Sequence, residues 1–169
     1  YVYGILSCPA YREVYEHALK IDYPRIPFTR DFLLFHQLTV LGERLVRLHL
    51  LDFKKNGNRG TRFEVEGDNM VIKGGFLPDA KAPVPGQPVN GRIYINNTQY
   101  FSNVPLQAWE FQMGRYRIAD KWLKDRRGHP LTHKDISHYI KIIECIRETI
   151  RCREQTVPVF DKIMGGETL

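Results

Sequence analysis

Two short stretches carry side chains whose types and spacing suit hydrogen-bonded recognition of an anionic polymer. In YINNTQYF the amides Asn96, Asn97 and Gln99 stand beside Tyr94 and Tyr100. An Asn or Gln amide presents a donor and an acceptor side by side, the pattern that pairs bidentately with an adenine edge. In GRYRIADKWLKDRRG the basic residues Arg115, Arg117, Lys121, Lys124, Arg126 and Arg127 face only Asp120 and Asp125. Such residues set register on a nucleic acid through its phosphates, and Arg also reads guanine bidentately. Trp122 and Leu123 would anchor this run to a core and Gly128 would end it, leaving Lys121, Lys124, Arg126 and Arg127 pointing largely outward. Taken alone, a solvated basic edge accounts for the run equally well. The amides just upstream tilt the balance toward a DNA-facing surface.

Enzyme chemistry finds little support. The sequence has no G-x-G-x-x-G, no Walker loop and no G-x-S-x-G elbow. His133, Lys134 and Asp135 are consecutive at a helix start and point in different directions. His129 and His133 are interrupted by Pro130, and no third metal ligand accompanies them. Glu64 and Glu66 would share a strand face without completing a ligand set. His36 and His49 lie in an apolar helix, where packing is the commoner role. Asn96-Asn97-Thr98 matches a glycosylation acceptor but lacks a secretory context. A small hydrolase or nuclease is therefore the least favoured class.

The 169 residues are 43% apolar and 12% aromatic, enough for one packed core, and their net charge of +6 favours an anionic partner. No apolar run approaches the ~20 residues of a membrane span. Cys8, Cys145 and Cys152 cannot all pair and form no C-x-x-C, which fits a reducing, cytoplasmic setting. The opening YVYGILSC has no Met, basic region or cleavage site, so a fragment of a longer polypeptide is expected.

The elements that must position these residues predict an α+β fold within one domain, 1–169. Residues 1–52 give helical support, with Ser7 and Thr29 as caps, DYPRIP as a stop, and Leu34, Leu38, Leu41, Leu45 and Leu48 on a core-facing stripe. Residues 60–119 form a β-rich recognition part, an irregular antiparallel sheet or a barrel-like region. There RFEVEG and NMVIKGG are expected to make a hairpin about Gly67-Asp68. KKNGNRG reads as a turn and PDAKAPVPGQPVNG as a loop, and RIYIN, TQYFSNV and AWEFQMGRYRIA read as further strands with Gly114 a bulge or turn. Residues 120–157 are helical. Thr132 and Asp135 open a long helix with Ile136, Tyr139, Ile140, Ile143, Ile146 and Ile150 on one stripe, and VFDKIMGGETL is expected to fray.

In order and spacing, YGILSCPAYREVY, KIDYPRIPFT, LGERLVRLHLL, GRIYINNTQYF, WEFQMGRYRIADKWLKDRRG and DISHYIKIIECIRETI resemble the C-terminal target recognition (specificity) domain of Type ISP restriction-modification enzymes, over about Tyr1 to Thr156. Those polypeptides join a nuclease, a helicase-like motor, an adenine methyltransferase and a specificity domain. The resemblance implies a bacterial-defence module that recognises a short asymmetric sequence in double-stranded DNA, beside a covalently linked methyltransferase domain and with no membrane. S-adenosylmethionine, ATP and Mg²⁺ would belong to the other domains. This chain has neither the (Asn/Asp)-Pro-Pro-(Tyr/Phe) tetrapeptide nor a glycine cofactor motif, so no cofactor and no catalysis are expected of it. The competing expectation is a protein-interaction module within such a polypeptide, without base readout.

Overall fold

The computed structural model describes residues 1–52, 60–79 and 89–166. The KKNGNRG turn and the Pro-rich loop fall mostly outside them. In chain order the elements are α1 (Val2–Ser7), α2 (Pro9–Val14), α3 (Ala18–Ile21), α4 (Phe32–His49), β1 (Arg62–Phe63), β2 (Gly75–Pro78), β3 (Asn90–Tyr94), β4 (Tyr100–Pro105), α5 (Leu106–Glu110), β5 (Gln112–Met113), β6 (Tyr116–Arg117), α6 (Ile118–Lys124) and α7 (His133–Gly165). They form two compact units, residues 1–52 with 148–169 and residues 53–147, and α7 contributes to both.

In the first unit, Cys8 rather than Ser7 is the N-cap of α2, and Pro9 takes the first helical position, where its missing N–H costs nothing. The helix opened by Thr29 starts later than expected. Asp31 caps α4 by accepting from the Leu33 and Leu34 amides at 2.8 and 3.2 Å, while the Thr29 hydroxyl accepts from Asp31 N at 3.1 Å. Leu38, Leu45 and Leu48 of its stripe are buried. Contact between α1 and α4 requires glycine, since a Cβ on Gly42 would stand 2.9 Å from Gly4 N. The Tyr11 hydroxyl donates to Arg25 O at 3.0 Å, pinning the YPRIP segment. Ile5, Cys8, Tyr11 and Leu38 share a core with Val159, Phe160 and Ile163. The VFDKIMG end is thus helical through Gly165 instead of frayed, because its apolar stripe finds a partner surface far away in sequence.

The second unit holds an open antiparallel sheet of order β1-β4-β3-β2, not a barrel, and a separate β5-β6 ribbon. The expected hairpin at Gly67-Asp68 does not form. β1 pairs with β4, and NMVIKGG instead bridges Met70 to Pro130 and sends the Ile72 and Lys73 amides to Ile95 O. A local turn redirects the chain there: Asp68 accepts from Met70 N at 2.9 Å, and Asn69 adopts φ +58°. AWEFQMGRYRIA is not all strand either. Ala108 and Trp109 are both buried, which adjacent residues on one pleated strand cannot achieve against a single face. They sit on α5, after Pro105.

One sheet face is covered: the Phe101 ring lies 4.7 Å from Tyr139 of α7, and Phe76 stacks 6.5 Å from Trp109. Tyr139 donates to Ala119 O at 3.1 Å, and burial pushes its phenol well above the usual range. The start of α7 is the capping box expected from sequence. Asp135 accepts from the Thr132 hydroxyl and amide at 2.6 and 3.0 Å, and Asp135 N donates back to the Thr132 hydroxyl at 3.2 Å. These bonds, with Arg126 Nε at 3.2 Å, hold the Asp135 carboxyl below the usual range. A depressed folded pKa contributes stability above the unfolded value of about 4 and loses it as pH falls through the folded one. The Tm gap between wild type and Asp135→Asn is therefore expected to be full at neutral pH and to close in acid, as read by melting over a pH series.

All three cysteines are buried, and none forms a disulfide. No described helix is long and apolar enough to cross a membrane.

Candidate nucleic-acid interface

The β3-β4 turn divides the predicted amides by role. Asn96 builds the turn: its Oδ1 accepts from Thr98 N at 3.0 Å and Gln99 N at 2.7 Å, while Nδ2 donates to Met70 O at 3.1 Å. Gln99 is 0% exposed. Its Oε1 accepts from Asn69 N at 2.8 Å and Asn96 Nδ2 at 2.9 Å, and its Nε2 donates to Val65 O at 3.0 Å and Asn69 Oδ1 at 2.8 Å. With every bonding position occupied, Gln99 has none to offer a base edge. Asn97 stands exposed at the tip, making no side-chain hydrogen bond among the described residues. Tyr94 and Tyr100 are a cross-strand pair on the sheet face opposite Phe101, with rings 5.0 Å apart, and Arg92 lies 5.0 Å over Tyr100.

The basic run follows the β5-β6 ribbon. Lys121 pairs with Asp125 and Lys124 with Asp120 at 2.7 Å, both on α6 at i,i+4 spacing. The exposed Lys121–Asp125 pair is worth about 0.3–0.5 kcal/mol, and the buried Asp120 is also neighboured by Arg117 at 3.7 Å, so a phosphate can compete for either lysine. Arg117 is tethered, 3.7 Å from Asp120 and 5.7 Å over the Trp109 ring. Arg126 is a structural clamp rather than an outward cation: it stacks 3.5 Å over Trp122, donates to Trp122 O at 3.3 Å and pairs with Asp135 at 3.2 Å. Arg115 and Arg127 are exposed and form no ion pair among the described residues.

Segment 69–72 links the amide turn to the end of the basic run. Met70 O accepts from Asn96, while Val71 N bonds His129 O at 3.2 Å and Gly128 N bonds Val71 O at 2.8 Å. The tyrosines lie elsewhere, on the sheet face opposite Phe101. Arg92 was missed from sequence although the period-two alternation of GRIYIN places it beside Tyr94 on that face. Also missed were Gln112, Met113 and Tyr116, which share the exposed ribbon with Arg115. Gly114, between Met113 and Arg115, was the available signal: its φ of +60° is the glycine-favouring geometry of a two-residue hairpin turn. Among the described residues no cluster of His, Cys, Asp or Glu could hold a metal ion.

The family model for the Type ISP C-terminal specificity domain matches residues 1–155. No curated protein matches the chain. Among solved structures, a nuclease-deletion mutant of the Type ISP restriction-modification enzyme LlaGI, in complex with a DNA substrate mimic, superposes with a TM-score of 0.65 at 23% identity, covering 91% of this chain and 13% of that one. The ATP-dependent Type ISP restriction-modification enzyme LlaBIII bound to DNA gives 0.54 at 19% identity over 100% and 11% of the two chains. A DrdV-DNA complex gives 0.56 at 19% over 95% and 17%. These likenesses establish the shared fold, and this chain spans less than a fifth of each relative's length.

Proposed function

Because this chain belongs to the Type ISP C-terminal specificity domains, we propose that it reads a short sequence in double-stranded DNA and directs an adenine-N6 methyltransferase, carried on the same longer polypeptide, to that sequence in the bacterial cytoplasm. Chemistry, with its S-adenosylmethionine, ATP and Mg²⁺, belongs to other domains. The LlaGI, LlaBIII and DrdV relatives were each solved with DNA or a DNA mimic, which supports the reading.

The observation that carries it is an exposed β-ribbon bearing an unpaired arginine, Arg115, leading directly into a helix whose exposed lysines, Lys121 and Lys124, are held by local i,i+4 pairs. In this reading Lys121, Lys124 and Arg127 set register on phosphates, and Arg115 and Asn97 meet base edges. Asn96, Gln99, Arg117 and Arg126 shape and hold those elements.

Titration of the chain against a random-sequence duplex library at low and moderate salt, with sequencing of the bound fraction, tests the assignment. Enrichment of a short asymmetric motif is the expected result. Salt-sensitive binding without enrichment would reassign the surface to phosphate clamping alone, and absence of binding would favour a docking role.

A further inference from the structure

The β5-β6 ribbon has two chemically different faces. Its register pairs Gln112 with Arg117 and Met113 with Tyr116, and directly opposed residues share a face. The Gln112/Arg117 face looks onto the body of the unit, since Arg117 lies over Trp109 and against Asp120. Met113 and Tyr116 therefore point the other way, and they are 49% and 52% exposed. An apolar pair left in water at the tip of a ribbon, next to the unpaired Arg115 and just ahead of Lys121, Lys124 and Arg127, is suited to an occupant that is anionic yet offers an apolar group.

Duplex DNA has one such group on its base edges, the thymine C5-methyl, and it lies in the major groove. That groove, about 12 Å wide, admits a two-stranded ribbon, whereas the minor groove, about 6 Å wide, carries no methyl. We infer that Met113 and Tyr116 form an apolar reader that packs on thymine methyl groups in the major groove, giving the domain a preference for A·T pairs at one or two positions of its target. The inference rests on the DNA-reading role proposed above and names the base chemistry read by that surface. Arg115, next to Tyr116 and two residues from Met113, supplies the adjoining polar contact.

The target sequence need not be known for the test. Two random duplex libraries are made, one with thymine and one with uracil throughout, which differ only by the methyl. Binding selection with the unaltered chain is expected to yield a motif containing an A·T pair, and uracil is expected to lower enrichment at that position about four-fold per methyl contacted. The variant Met113→Ala/Tyr116→Ala, altered only at half-exposed positions, is expected to treat the two libraries alike. Equal enrichment of one motif by the unaltered chain in both libraries, or a motif without any A·T pair, would overturn the methyl reader while leaving DNA recognition standing. A thymine preference retained by the double variant would overturn it too. No motif in the thymine library would overturn both readings.

Discussion

Replacing Gln99 by alanine is expected to lower Tm by about 5–15 °C, far more than any substitution at the exposed turn residues beside it. The side chain is fully buried, and its four hydrogen bonds tie Asn69, Val65 and Asn96 together. Alanine would leave the Asn69 N–H and the Val65 carbonyl without their partner, at about 1–3 kcal/mol for each group that water cannot reach. A loss of about 2–4 kcal/mol translates to that Tm range for a chain of this size. Gln99→Glu keeps the shape but removes both Nε2 donations, so it should melt lower still. Asn97→Ala, two residues away and exposed, should melt like the unaltered chain. Thermal unfolding followed by circular dichroism separates the two residues directly. If Gln99→Ala melted normally and lost only DNA affinity, Gln99 would be a base reader and the bonding network around it incidental.

Neutralising Arg115, Lys121, Lys124 and Arg127 together to glutamine is expected to weaken duplex binding about 10³-fold at 0.1 M salt. Lys121, Lys124 and Arg127 are the three phosphate contacts among them, each adding about 0.9 to the slope of log K against log salt, so that slope should flatten by about 2–3, while loss of Arg115 removes a base contact. Stability should change little. Lys121 sits in an exposed i,i+4 pair, Lys124 is itself exposed although its partner Asp120 is buried, and Arg115 and Arg127 form no ion pair among the described residues. Asp120, with 10% side-chain exposure, keeps Arg117 after Lys124 is lost. Fluorescence anisotropy over a salt series gives both quantities. An unchanged slope would mean that these cations face solvent and that the anionic partner binds elsewhere. Arg126→Gln makes the contrast: it is expected to destabilise the junction of α6 and α7, through lost stacking on Trp122 and the lost Asp135 pair, without altering the salt slope in the folded protein.

Much of the architecture was legible because local signals agree with tertiary need. The leucine stripe of α4 and the Thr132/Asp135 capping box were readable, as were the alternation of GRIYIN and the order of helix, sheet and helix: helical period, cap chemistry and strand period are properties of neighbouring residues. The errors fall where distant partners decide. NMVIKGG alternates like a strand, yet its Val71, Ile72 and Lys73 amides go to His129 and Ile95, so it forms no hairpin with RFEVEG. VFDKIMG has little intrinsic helical strength and is helical because Ile5, Cys8, Tyr11 and Leu38 give Val159, Phe160 and Ile163 a surface to bury against.

The same division applies to the candidate interface. Residue types alone determined that this chain carries cations, amides and aromatics suited to DNA, that these cluster in residues 94–127, and that no nucleotide-cradling or nucleophile motif accompanies them. Only the tertiary structure decided which of those side chains are free. Arg126 and Arg127 are adjacent and chemically equivalent in sequence, but one is stacked on Trp122 and bound to Asp135 while the other is exposed and forms no ion pair among the described residues. Gln99 and Asn97 likewise differ by burial and not by chemistry. A side chain's hydrogen-bonding capacity is fixed by its type, whereas its availability is what remains after the fold has satisfied its own buried polar groups.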